Sequence, residues 1–230
     1  MLQANKLCMR YDDTLAINDL SFTVAPGEIF CLLGQNGAGK TTTINIFLGL
    51  LQPTSGEALI NNQSASESNS IKNEIAYIPE IVQLYGNLSG VENLDFFSRL
   101  AGYNYTKEEL TSFLQRANLQ ESAYQKRLDT YSKGMRQKVG IAIALAKNAS
   151  YILMDEPTSG LDPKASVEFA EVCKELSENG VGILMATHDI FNAVNIGSKI
   201  GIMREGTLVH TAETAKISAQ ELQDLYIKTI

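Results

Sequence analysis

The sequence predicts an α/β protein with a mixed, largely parallel sheet, an antiparallel β element and an inserted α-helical subdomain. Three observations predict it. Over residues 1–82 and 148–230, short apolar runs of strand length alternate with helical stretches. Residues 83–147 read as helix only. The same α/β pattern resumes after them, so these helices belong inside a single domain spanning 1–230, not to a tandem one.

Each element has its own signal. Residues 6–10 and 20–24 read as strands, joined through a turn at Tyr11-Asp12-Asp13. Pro26-Gly27 punctuates before an apolar strand at 28–33, and a helix is predicted at 42–48. Gln52-Pro53-Thr54-Ser55-Gly56 breaks the chain ahead of a strand at 57–60. Residues 61–70, rich in Asn and Ser, are expected as a surface loop, and 75–78 as a strand ending at Pro79-Glu80. Ser89 with Glu92, and Thr106 with Glu109, have capping-box spacing, which opens helices near 90–101 and 107–117. A third helix, at 133–147, carries Val139, Ile141, Ile143, Ala144 and Leu145. A strand follows at 151–155. Pro163 suits a first helical position and Gly180 a stop, framing the next helix. Strands at 181–186 and 199–204, a turn at Gly206 and a last short helix capped by Ser218 complete the chain.

Composition narrows the classes. A hydrophobic content of 44% and a charged content of 20% are those of an ordinary globular chain. The net charge of −7 argues against a nucleic-acid partner, which needs a basic face. Cys8, Cys31 and Cys173 are scattered and odd in number, as expected of reduced thiols in a cytosolic protein. With two histidines they build no metal cluster. The N-terminus lacks a signal-peptide core, and no apolar run reaches the ~18 residues of a membrane span. Work at a membrane would therefore need a partner.

The chemistry starts at Gly34-Gln35-Asn36-Gly37-Ala38-Gly39-Lys40-Thr41, which satisfies G-x-x-x-x-G-K-[ST] between a predicted strand and a predicted helix. Backbone N–H groups turned inward at a helix N-terminus make a nest for the β- and γ-phosphates of a nucleotide. Gly34, Gly37 and Gly39 supply backbone angles and close approach that a Cβ would obstruct. Lys40 adds a positive charge, and the Thr41 hydroxyl suits Mg²⁺, which takes hard oxygen ligands. An ATPase or a GTPase is implied.

The strand at 151–155 delivers Asp155 and then Glu156 at its C-terminal end, where ligands collect in open α/β sheets. Asp155 would hold Mg²⁺ through water, and Glu156 would orient or deprotonate the attacking water. Tyr131-Ser132-Lys133-Gly134-Met135 precedes a helix, so Ser132 and Gly134 offer either an ordinary N-cap or a second anion site. One chain needs no second γ-phosphate site; two chains facing each other would.

Over essentially its full length the sequence resembles the ATP-binding subunit of an ABC (ATP-binding cassette) transporter. Tyr11 is similar to the aromatic that stacks on adenine, and GQNGAGKT to the Walker A loop. YSKGM resembles the signature, ILMDE the Walker B strand with its glutamate, Ser159-Gly160-Leu161-Asp162 the D-loop and His188 the switch histidine. The resemblance implies ATP and Mg²⁺ as cofactors. Nucleotide contacts would come from Tyr11, Asn36, Gly37, Ala38, Gly39, Lys40, Thr41 and Thr42, with Ser132 and Gly134 from a second chain. Thr41, Glu80 and Asp155 would surround the metal, and Glu156, His188 and Lys40 would carry catalysis.

Two positions depart from the family's commonest pattern. Glu80 stands where glutamine is usual, and Lys133 with Met135 replace Gly and Gln of the signature. Both departures resemble a branch that contains exporters of drugs, antibiotics, polysaccharides or ions. The implied partners are a second ATPase subunit, identical or paralogous, and an integral membrane permease subunit, with this chain on the cytoplasmic face. Two other roles stay open: a soluble ABC ATPase in assembly or maintenance, and a nucleotide-binding regulator that does not hydrolyse. Residues 81–88, apolar without clean periodicity, either fill the seam between core and insert or present Leu84 and Tyr85 to a permease helix.

Overall fold

The computed structural model describes residues 1–66 and 71–229. The chain runs β1 (Leu2–Tyr11), β2 (Thr14–Val24), β3 (Ile29–Leu33), α1 (Lys40–Phe47), β4 (Ser55–Ile60), β5 (Gln63–Ser64), α2 (Ile71–Glu74) and β6 (Ile75–Ile78). Then follow α3 (Gly90–Leu100), α4 (Lys107–Arg116) and α5 (Lys133–Ala146), and after them β7 (Tyr151–Asp155), α6 (Pro163–Glu178) and β8 (Gly182–Thr187). The last elements are α7 (Ile190–Ile196), β9 (Lys199–Arg204), β10 (Thr207–Glu213) and α8 (Ala219–Thr229).

Six strands form a central sheet in the order β10-β9-β3-β8-β7-β6. All neighbours in it are parallel except β10, which returns antiparallel on β9 at the edge. A second, antiparallel sheet has the order β2-β1-β4-β5. Strand alternation sorts the buried side chains of β3 into two layers. Ile29, Cys31 and Leu33 pack with Leu94, Leu114, Val139 and Phe169 of the helices. Phe30 and Leu32 face the other way, against Ile44 and Phe47 of α1 and Leu7, Leu20 and Val24 of the antiparallel sheet. At about 1.5–3 kcal/mol per fully buried large apolar side chain, both layers are needed to hold the sheet.

The helical residues are anchored to the sheet by named contacts. Both capping boxes are complete: Ser89 with Glu92, and Thr106 with Glu109. The buried Gln137 on α5 donates to the carbonyls of Pro79 and Glu80 after β6, at 3.3 and 3.1 Å. Lys138 pairs with Glu168 of α6 at 2.5 Å. Lys147 donates to the Ile75 carbonyl at 2.8 Å, and burial lowers its ammonium pKa. Burial likewise pushes the Cys31 thiol up to about 12, as expected for a reduced core cysteine.

Several boundaries differ from the sequence reading. β1 and β2 are longer than 6–10 and 20–24, because bulges interrupt the alternation that marks a strand. Lys6 and Asp19 take positive φ of 47° and 48° next to those register shifts. In place of a loop starting at 61, Asn61-Asn62 makes a two-residue turn with φ of 50° and 63°, and β5 pairs back on β4. Residues 67–70 of the expected loop lie outside the described residues. α1 begins at Lys40, ahead of 42, with Gly39 of the loop as its N-cap. Among the described residues no helix is long and apolar enough to cross a membrane.

Candidate active site

The phosphate loop is built from β3 into α1. Its glycines, alike in sequence, have different reasons. Gly37 has φ of 84° with open space where a Cβ would stand, so it is there for the backbone angle. Gly39, with φ of 100°, needs both the angle and the space, since a Cβ would meet the Ala16 carbonyl at 2.5 Å. Gly34 needs space alone: its Cβ would meet the Met203 carbonyl at 2.5 Å. Thr43, absent from the sequence reading of the site, donates its hydroxyl to the Gly39 carbonyl at 2.9 Å. The β9–β10 turn buttresses the loop from outside, with Gly206 N–H donating to the Ala38 carbonyl at 3.1 Å.

Lys40 is 5% exposed. Its ammonium donates to the carbonyls of Gly34 at 2.6 Å and Gln35 at 3.1 Å. The charge also faces Glu156 Oε1 at 3.5 Å. Glu156 follows β7 with φ of 45°, a left-handed conformation costly for a residue with a Cβ. Its N–H still donates to the Ala186 carbonyl of β8 at 2.9 Å, so strain turns the side chain without breaking the ladder. Glu156 Oε2 lies 2.9 Å from His188 Nδ1 and accepts from the His188 N–H at 3.3 Å. Lys40, Glu156 and His188 thus converge at the C-terminal ends of β3, β7 and β8.

Asp155 is buried beside them. Burial lifts its carboxyl pKa above the usual range; the Thr41 hydroxyl opposes this, the Glu156 charge adds to it, Lys40 opposes it and Glu80 adds to it. Among the described residues the buried Asp155 Oδ1 has no hydrogen-bond partner, while Glu156 Oε1 faces the Lys40 ammonium at 3.5 Å. A buried oxygen left without a partner is costly, and a ligand at this site would relieve that cost. The Thr41 hydroxyl and the Asp155 carboxylate are hard oxygen donors, of the kind that fits Mg²⁺. Among the described residues no group of three or more His, Cys, Asp or Glu could cage a metal.

The remaining residues named from sequence are distributed as follows. Asn36 is exposed, Ala38 buried and Thr42 partly buried, all on the loop or the first turn of α1. Tyr11 is 42% exposed at the β1–β2 turn, on the hairpin whose Ala16 carbonyl covers Gly39, and makes no ring contact among the described residues. Ser132 caps α5, accepting from the Met135 N–H at 3.3 Å. Gly134 lies against Ala165. Both line a recess with Leu119, Asp162 and Lys164, apart from the phosphate loop. The exposed Glu80 carboxylate accepts from the Ser159 hydroxyl at 2.9 Å and lies 3.8 Å from Lys133 Nζ. Sequence reasoning missed the buried Asn93, whose side chain accepts from the Tyr85 N–H and donates to the carbonyls of Tyr85, Leu88 and Ser89. Nothing in the sequence distinguishes it from a surface asparagine.

With this geometry in hand, the comparisons with known proteins fall into one class. The profile of the ABC transporter family matches residues 17–159. The chain is 32% identical over 232 aligned positions to the uncharacterized ABC transporter ATP-binding protein YxlF of Bacillus subtilis (strain 168), covering 100% of this chain and 77% of that protein. It is 32% identical over 219 positions to the bacitracin transport ATP-binding protein BcrA of Enterococcus faecalis, covering 94% and 70%. In structure it matches a dimeric ATP-binding cassette in a post-hydrolysis state bound to ADP and Pi, with a TM-score of 0.82 and 26% identity over 93% of this chain and 99% of that one. The chain belongs to the ABC transporter family, as one of its ATP-binding cassettes.

Proposed function

We propose that this cassette hydrolyses Mg-ATP at two composite sites of a head-to-tail dimer and drives a separate permease subunit, in the direction of export. The carrying observation is that Lys40, Glu156 and His188 meet within one chain, while Ser132 and Gly134 face a different recess. A second chain would bring its signature to the open side of the phosphate loop.

Within each site the loop N–H groups and Lys40 would bind the β- and γ-phosphates, with Asn36, Gly37, Ala38, Gly39 and Thr42 in the cradle. Tyr11 would stack on the base. Thr41, Asp155 and Glu80 would hold Mg²⁺, which when bound offsets phosphate charge and orients the chain of oxygens. The γ-phosphate competes with Glu156 for Lys40. Its arrival therefore frees the Glu156 carboxylate to take a proton from the attacking water, while His188 holds the γ-phosphate. Hydrolysis reopens the dimer and moves the permease.

For the permease contact, residues 81–88 divide between the two readings. Val82 is buried and Leu84 packs on the core, filling the seam. Ile81 and Tyr85 are 61% and 48% exposed, as are Phe96 and Leu100 of α3 at 41% and 74%. Tyr85 meets Phe96 edge-on at 4.9 Å and Phe97 at 6.1 Å, near a recess of about 370 Å³ between β6, α3 and α5. That exposed apolar surface suits a short permease helix. The exporter direction is supported by Glu80 and Lys133, and a transport role by the likeness to the bacitracin transport ATP-binding protein BcrA.

Glu156→Gln keeps the shape and removes the base. With Mg-ATP it is expected to sediment as a dimer holding unhydrolysed nucleotide. A variant that stays monomeric and hydrolyses normally would falsify the proposal.

A further inference from the structure

The two departures from the family's usual pattern meet in space. Glu80 lies in the loop after β6 and Lys133 is the first residue of α5, yet Glu80 Oε1 is 3.8 Å from Lys133 Nζ. The same oxygen accepts from the Ser159 hydroxyl at 2.9 Å. Ser159 in turn donates its N–H to the Glu156 carbonyl at 3.1 Å, so this contact adjoins the catalytic turn. Lys133 Nζ also stands 3.8 Å from where a Cβ of Gly160 would be, so the lysine lies across that turn. The backbone at Glu80 is fixed independently, by Gln137 donating to its carbonyl at 3.1 Å.

Charge gives the pairing a purpose. A glutamine after β6 would bring no charge. A glutamate adds a third carboxylate to Asp155 and Glu156, at a site that must accept the phosphates of a nucleotide, and within the chain Lys40 already faces Glu156. The pair is partly exposed, with side chains 51% and 32% accessible, so it contributes little to fold stability.

We propose that Lys133 is a positioning residue that forms a matched pair with Glu80, holding the extra carboxylate on the Ser159 side and cancelling its charge before nucleotide binds. The proposal rests on the nucleotide-site reading above. A glutamate after β6 and a lysine in the signature then form one unit: the lysine is needed only because the glutamate is there.

A double-mutant cycle with Mg·ADP, which the chain does not consume, tests this. Lys133→Met keeps the aliphatic stem and is expected to weaken Mg·ADP binding about fivefold at low salt, and less at high salt. Lys133→Arg keeps the charge and retains binding. Whatever Glu80→Gln alone does to Mg·ADP binding, on that background Lys133→Met changes the Kd by less than about twofold. If Lys133→Met changes the Kd by the same factor on both backgrounds, including no change on either, the pair has no such role. Lys40→Ala serves as the control. Mg·ADP binding undiminished in that variant overturns the nucleotide-site reading and this proposal with it; uncoupled effects with Lys40→Ala defective overturn the pair alone.

Discussion

The N-termini of α1 and α5 make an instructive comparison. Both are helix starts, whose free N–H groups are of the kind that can receive an anion. At α1 the approach is built from glycines, a buried lysine anchored on two carbonyls, and charged groups delivered by β7 and β8. At α5 the hydroxyl of an exposed serine makes an ordinary N-cap bond and Gly134 packs on Ala165. The first end is over-determined by its surroundings. On the proposed reading the second is half a site, whose other half would come from another chain.

The largest expected effect lies at the α1 end. Lys40→Ala should lower hydrolysis by at least ~100-fold, as for loss of a preorganised charge on the transferring group. Circular dichroism should still report the native fold. Turnover near wild type would remove the asymmetry between the two ends. Next comes Ser132→Ala. Losing the cap costs about 1 kcal/mol, or ~2–4 °C in Tm for a chain of this size. If α5 serves a partner's nucleotide, hydrolysis should fall severalfold while the isolated chain binds Mg·ADP as before. A lower Tm with full hydrolysis would make the α5 terminus a cap and nothing more.

Asp155→Asn sharpens the α1 side through pH. The folded pKa of Asp155 is raised, chiefly by burial, so ionising it opposes folding. The stability it permits is whole below the ordinary carboxylate value and is lost as pH rises through the raised one. At pH 7 the asparagine variant should therefore melt a few degrees higher than wild type without ligand, and the gain should shrink towards pH 4. The same variant should lose most of the stabilisation by Mg-ATP. Differential scanning fluorimetry with and without Mg-ATP reads both. The smallest effect on the chain itself is expected outside both ends. Tyr85→Ala gives up aromatic contacts of about 1 kcal/mol at an exposed position, leaving basal hydrolysis intact, while recovery with permease-containing membranes falls. A variant that melts far below wild type and still binds those membranes would assign Tyr85 to the core.

The phosphate loop, both capping boxes and the Asp155-Glu156 strand end were legible from the sequence, because each is a local device. Its residues lie within one turn or one strand, and their spacing alone prescribes the backbone. The interruption of β1 and β2 was not legible, because bulges break the period that a sequence reading follows. Nor was the Asn61-Asn62 hairpin turn, since polar residues at a chain break suit a loop equally well. Tertiary structure also divided residues 81–88 into buried Val82 and exposed Tyr85, with buried Asn93 holding the backbone at Tyr85 and Leu88. It made the pairing of Glu80 with Lys133 and Ser159 as well. That contact depends on β6 lying beside β7 and on α5 packing against β6, and an order of strands in a sheet is set by which faces bury each other over long distances in the chain. Local spacing decided which groups can bind phosphate; long-range burial decided which charges they meet.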